Sequence, residues 1–301
     1  MEDKMKILVA GSHGMIGSAV TRHLLEIGHE VVRLVRYTPG PSEVWWDPDA
    51  DEIDMPGLDG FDAVVNLATM PWPMRWTGKV KEKMSANRTG TNRLLAETLS
   101  LCEHKPSVLI CASGIGYYPP SGDTIITEDS PTGNSFLTNL NQYGELATLP
   151  ASEAGIRVVH LRIPMVLGGA RLNMLGFQAG NGEQWMSWIG LDEVAFIIEF
   201  ALKTEILSGP VNCVSPNPMR LADFAKTSTD ALGQKPGGVM PAFIARLVLG
   251  EMGEEFLLAS RRAQPVKLLA AGYQFQFPSL ADTLRHEQAV IKAGEVASVI
   301  V

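Results

Sequence analysis

The chain has 301 residues, 46% of them hydrophobic, with a net charge of −8 and a pI near 5.3. That supplies enough apolar matter for one large α/β domain, or for one such domain with a smaller partner. The acidic balance argues against a general nucleic-acid or anionic-membrane surface, because both attract basic patches.

The charged start, Met1-Glu2-Asp3-Lys4, gives way to the apolar run Ile7-Leu8-Val9-Ala10, too short and wrongly flanked for a signal peptide. The run enters Gly11-Ser12-His13-Gly14-Met15-Ile16-Gly17 and then a helical pattern ending near Leu25. Strand, glycine turn and helix in that order open a dinucleotide-binding βαβ unit, in which glycines let the backbone approach a pyrophosphate at a helix N-terminus. The spacing is GxxGxxG, so the context carries the expectation more than the pattern does. A second strand, Glu30 to Val35, ends in the basic Arg36, and no Asp or Glu falls between Val31 and Ser42. An acidic side chain here would grip the ribose of NAD, whereas a guanidinium accepts the extra phosphate of NADP; NADP is favoured and NAD is the lesser expectation.

Phe61 to Ala68 reads as the next strand, with a polar end. A long helix follows from about Lys79 to Leu99, and Ser107 to Ser113 forms another buried strand. A loop rich in Gly, Pro and Tyr leads to a helix ending near Ala154, and Ile156 to Arg162 returns to the sheet. This alternation gives the fold class: α/β, a doubly wound parallel sheet of NAD(P)-binding Rossmann type. Ligands of such sheets bind at the carboxyl ends of strands, so Asn66–Thr69, Ser113–Tyr118 and Arg162–Gly168 should converge on the turn at Gly11. Residues 5–168 form the expected Rossmann domain. The sheet also takes a later strand near 209–214, residues 169–285 form a smaller, mainly helical substrate-side lobe, and 286–301 form a tail.

Cys102, Cys111 and Cys213 make no CxxC pair, and the six histidines show neither HxxxH nor HExxH spacing. Neither disulfides nor a metal site is expected, and buried free thiols fit a reducing, cytoplasmic compartment. No run approaches membrane-spanning length. Asp123, Glu128 and Asp129 read as surface carboxylates.

Several of these segments together resemble a known family. They are the glycine turn, Asn66-Leu67-Ala68, Arg75-Trp76-Thr77, Ala112 to Tyr118, Arg162 to Gly168, Gln184 to Ile189, Gly209 to Asn212 and Gly272 to Phe275. The chain is similar to the YfcH-like members of the atypical short-chain dehydrogenase/reductases, NAD-dependent epimerase/dehydratase-like proteins, over about residues 5–285, and 236–284 look like that family's C-terminal module. The resemblance implies pyrophosphate contacts from Gly11, Ser12, His13, Gly14, Met15, Ile16 and Gly17. It implies adenosine-side contacts from Val35, Arg36, Leu67 and Ala68, a place near the cofactor for Arg88, and approach to the nicotinamide by Ser113 and Val166.

Hydride-transfer enzymes of the wider superfamily pair a tyrosine with a lysine four positions later, the lysine's charge easing proton exchange by the phenol. Ser113 and Tyr143 are the catalytic candidates here, but Ala147 occupies the lysine position. Relatives carry a Trp-Glu pair that aligns with Gly144-Glu145, which sets Tyr143 beside the catalytic slot; Tyr117 and Tyr118 are alternative donors. From Val166 to Phe177 the sequence carries fewer residues than the resemblance implies, either because the loop is short or because part of it is missing from this sequence. The expected protein is therefore an NADP-binding oxidoreductase or epimerase-like enzyme for an unknown small molecule, or a cofactor-sensing protein that has lost catalysis.

Overall fold

The computed structural model describes residues 4–70 and 75–294. Strand β1 (Lys6–Ala10) runs into helix α1 (Met15–Glu26), and β2 (Glu30–Val35) follows. Two strands the sequence reading lacked come next, β3 (Glu43–Asp47) and β4 (Glu52–Ile53). Then come β5 (Ala63–Asn66), the long α2 (Gly78–Leu101) and β6 (Val108–Gly114). A short β7 (Ile125–Ile126) precedes two helices, α3 (Phe136–Leu146) and α4 (Leu149–Glu153), where one was expected. The break falls at Ala147 and Thr148 because Pro150 has no N–H to continue the ladder and suits only a first helical turn.

Strand β8 (Arg157–Ile163) leads to β9 (Met165–Leu167), followed by three short strands, β10 (Gln178–Ala179), β11 (Trp185–Met186) and β12 (Trp188–Gly190). Helix α5 (Leu191–Lys203) and β13 (Gly209–Asn212) complete this stretch. The remainder holds β14 (Met219–Arg220), α6 (Leu221–Leu232), β15 (Val239–Met240), α7 (Ala242–Leu249), β16 (Arg262–Ala263), α8 (Val266–Ala270) and α9 (Leu280–Lys292).

Eight strands form one sheet in the order β13-β8-β6-β5-β1-β2-β3-β4, parallel throughout except for β4. The chain leaves β1 to one side through β2 and returns to the other side through β5, so the switch point lies between β1 and β5. Each face carries its own apolar core. Val9, Val65, Ile110 and Leu161 pack with α1 and α5 on one side, while Leu8, Val64, Leu109 and Val158 pack with α2 on the other. Helix α5, which the sequence reading assigned to the substrate lobe, thus belongs to the layered sheet. A third core around Trp188, Phe224 and Leu284 holds the C-terminal lobe together.

The 285/286 boundary expected from sequence falls inside α9, which reaches Lys292; residues 295–301 of the expected tail lie outside the described residues. A polar cluster docks this helix. Asp192 takes Arg22 Nη2 at 2.7 Å, lies 2.8 Å from His286 Nε2, and gives its backbone N–H to Glu287 Oε1 at 3.1 Å. Glu287 is 1% exposed, and burial, reinforced by the Asp192 charge, pushes its carboxyl up to about 8. The folded chain therefore holds a proton that the unfolded chain releases near the ordinary 4.5. The stability this contributes is complete below that pH and is lost as pH rises through about 8. Glu287→Gln removes the titration. Between pH 6 and 8 the native protein should lose about 2–3 kcal/mol that the variant keeps. Parallel urea-unfolding profiles for the two proteins would refute this assignment.

Candidate functional site

The carboxyl ends of β1, β5, β6 and β8 line one edge of the sheet, with Ala10 opposite Asn66, Asn66 opposite Cys111, and Ser113 opposite Arg162. Gly11 has a φ of +75°, and a Cβ there would lie 2.6 Å from the Leu67 carbonyl carbon and 2.7 Å from the Ala68 nitrogen. The β1 turn can thus press against the end of β5 only without a side chain. A Cβ on Gly17 would come within 2.0 Å of the Gly11 carbonyl oxygen, so this glycine sets how closely α1 approaches its strand. Gly14 is the exposed N-cap of α1, with no side-chain cap and no acidic residue in the first turn. Its helix N-terminus is left open, which is the form an anion-binding turn takes. Donor set and cradle fit a dinucleotide pyrophosphate.

Around the cradle, Ser12 is buried, the His13 ring is exposed with its centroid 6.0 Å from that of Tyr37, and Met15 and Ile16 are half-buried. Leu67 is buried, and Ala68 gives its N–H to Asn66 Oδ1 at 3.1 Å. Val35 lies in the core, whereas Arg36 beyond it is accessible and sits 3.1 Å from Asp49, a loose surface pair that a phosphate can displace. Val166 is buried in β9, opposite Ile189. Arg88 is buried as well, with Nη1 donating to the Ala112 carbonyl at 2.8 Å. Burial holds its guanidinium below its ordinary range, and Gly144 makes room for it, since a Cβ there would lie 2.7 Å from Arg88 Cγ. Arg88 thus ties α2 by a hydrogen bond to the strand that carries Ser113.

Ser113 is not joined to a tyrosine and lysine. Its hydroxyl donates to Glu145 Oε1 at 2.6 Å, and Glu145 is gripped by Arg162 through Nε at 2.9 Å and Nη2 at 2.8 Å. Arg162 Nη1 donates to the Tyr118 hydroxyl at 2.7 Å, and that hydroxyl donates to Asn212 Oδ1 at 2.8 Å. Burial alone would favour loss of the Arg162 proton, but the forked bond to Glu145 outweighs it and holds the guanidinium above its ordinary range. Burial pushes the Tyr118 phenol up to about 12, so it stays protonated. The Tyr117 ring lies over the same guanidinium, 3.4 Å from Cζ to ring centroid.

Tyr143 stands apart from this cluster. It is 57% exposed on α3, while Leu140, Asn141 and Gly144 of that helix face inward, and Ala147 caps the helix end. Sequence alone offers Tyr118 only as an alternative proton donor and gives no role to Glu145 or Asn212, whereas the structure spends the Tyr118 hydroxyl on Arg162 and Asn212. Glu145 and Arg162 are seventeen positions apart on different elements, and no local spacing links them. The surface reading of Glu128 is overturned too. It is 5% exposed and accepts from the backbone N–H groups of Asn212 and Lys267, tying β13 to α8. All three cysteines are buried free thiols, and desolvation pushes Cys111 up to about 12. Among the described residues no helix is long and apolar enough to cross a membrane, and no group of three or more His, Cys, Asp or Glu side chains is placed to hold a metal.

Comparison with known proteins agrees with this architecture. Residues 7–174 match the model of the NAD dependent epimerase/dehydratase family, and residues 240–287 match a domain of unknown function, DUF1731. An epimerase family protein of Mycobacterium leprae, ML0860, is 36% identical over 295 residues, covering 94% of this chain and 95% of its own. The human epimerase family protein SDR39U1 is 34% identical over 93% of this chain and 99% of its own. The crystal structure of human SDR39U1 (isoform 2) with NADPH superposes with a TM-score of 0.86 at 32% identity, over 95% of this chain and 99% of that one. A nucleoside-diphosphate sugar epimerase from Corynebacterium glutamicum gives 0.80 at 32% identity, over 95% of this chain and 58% of that one. With the glycine cradle at the switch point and the C-terminal module in place, the chain belongs to the NAD dependent epimerase/dehydratase family, in its SDR39U1-like branch.

Proposed function

We propose that the protein binds NADP(H) at the β1–α1 turn and acts as an oxidoreductase or epimerase-like enzyme on a small molecule held between the sheet edge and the C-terminal lobe. The observation that carries this reading is the cradle of Gly11, Gly14 and Gly17 under an uncapped helix, with Arg36 as the accessible charge at the end of β2. The NADPH in the human relative's crystal supports the choice of cofactor. Bound NADPH would supply hydride. In this reading Ser12 to Gly17 hold the pyrophosphate, Val35, Arg36, Leu67 and Ala68 border the adenosine, and Ser113 and Val166 border the nicotinamide. The three free thiols suit a reducing compartment such as the cytoplasm.

A second reading, a cofactor sensor without turnover, draws support from Ala147 and the exposed Tyr143. Fluorescence titration with NADPH and NADH tests the common ground: absence of binding by either at high micromolar concentration defeats both readings. Arg36→Ala should weaken NADPH about tenfold, roughly 1.4 kcal/mol, with little change for NADH. Equal losses for the two cofactors would remove Arg36 from the phosphate site.

A further inference from the structure

We propose that Tyr117 is the proton donor of this site, with Arg162 supplying the positive charge that a lysine supplies in other hydride-transfer enzymes of this fold. The proposal rests on the oxidoreductase reading above and names the residue that completes it.

The first argument is by elimination among the five tyrosines, all of which are described. The Tyr37 hydroxyl is spent on Glu43 at 2.8 Å, at the far end of the cofactor cradle. Tyr118 is fully buried and has its hydroxyl between Arg162 and Asn212. Tyr273 is buried against Glu193 at 2.5 Å, beneath α5. Tyr143 projects into solvent from α3. Tyr117 is half-buried at the carboxyl end of β6, and among the described residues nothing hydrogen-bonds its hydroxyl.

The second argument is the charge beside it. Arg162 is stacked under the Tyr117 ring, and its fork is occupied by Glu145, so the guanidinium cannot swing away. Tyr118 adds an edge-on contact, with ring centroids 5.4 Å apart, that fixes the other side of the Tyr117 ring. The same Glu145 accepts from Ser113, so one ion pair orients both the serine and the tyrosine. The Ser113 proton is committed to a carboxylate, leaving its oxygen as an acceptor; the proton for a substrate oxygen must come from elsewhere. In carbonyl reduction the Tyr117 O–H bond breaks and its proton passes to the carbonyl oxygen as the carbonyl carbon takes hydride. The tyrosinate left behind lies with its ring over the Arg162 guanidinium and regains its proton from water.

The test uses the full chain with NADPH and phenanthrenequinone as a probe dicarbonyl, followed by NADPH oxidation, with cofactor affinity measured in parallel. Tyr117→Phe should lower kcat about a hundredfold or more with the NADPH dissociation constant unchanged. A smaller loss than Tyr143→Phe overturns the proposal. A readout without turnover is nitration by tetranitromethane, mapped by peptide mass. Tyr117 should react and be protected by NADP+, while Tyr118 and Tyr273 stay unmodified; nitration of Tyr117 that NADP+ does not reduce also overturns it. A native chain that binds NADPH but reduces no probe removes the oxidoreductase reading and the role of Tyr117 with it, whereas failure to bind NADPH removes the cofactor assignment itself.

Discussion

Gly17→Ala should abolish measurable NADPH binding and destabilise the fold by about 2–3 kcal/mol, although it adds only one methyl group. That methyl would sit 2.0 Å from the Gly11 carbonyl oxygen, 2.7 Å from its carbonyl carbon and 2.9 Å from Ser12 Cα. All three are backbone atoms, so no rotamer relieves the clash, and α1 must lift away from β1. Lifting it opens the packing of Ala19, Val20 and Leu24 against the sheet and withdraws the helix N-terminus from the phosphate. The loss in affinity should exceed a hundredfold, roughly 3 kcal/mol. Gly28→Ala is the control at the other end of the same helix. A Cβ there meets nothing, and only its φ of +94° is strained, so it should cost about 1 kcal/mol and leave NADPH affinity unchanged. Urea unfolding and fluorescence titration of both variants decide the matter; Gly17→Ala that still binds NADPH would disprove the cradle.

The second large effect is expected at Arg162. Its side chain is 3% exposed and that of Glu145 is 11% exposed, so the pair is removed from water. Arg162→Met leaves a buried carboxylate without its partner and takes a hydrogen bond from Tyr118, at a cost of about 3–5 kcal/mol. The double variant Arg162→Met with Glu145→Met removes the orphaned charge. It should recover much of the loss, because two apolar side chains of similar volume need no solvation. A double variant as unstable as the single one would mean that the arginine contributes by packing alone. Neither protein should reduce a probe carbonyl, since Ser113 and Tyr117 both depend on this pair for their orientation.

The parts of the molecule that follow from local pattern were legible in the chain itself. Ile7 to Ala10 and Ser107 to Ser113 are mainly apolar runs suited to a sheet covered on both faces, and their alternation with helical segments points to the parallel architecture. Gly11 and Gly17 announce a close backbone approach because glycine alone permits it. Strands β3 and β4 were not legible, because Glu43–Asp47 alternates between buried and half-buried at the sheet edge and β4 is two residues long. The division of α3 from α4 depends on Pro150, a signal the helical pattern around it obscured.

The sequence by itself determined the fold class, the position of the glycine cradle and the absence of a tyrosine–lysine pair, since each depends on neighbours along the chain. Only the tertiary structure decided what stands where that pair is missing. Glu145 on α3, Arg162 on β8, Tyr118 beyond β6 and Asn212 on β13 meet because the sheet brings their strand ends to one edge. Their mutual charge and hydrogen bonding hold them there. The same folding turns Tyr143 outward and Tyr117 over the Arg162 guanidinium, a distinction that burial creates and that no spacing in the chain encodes.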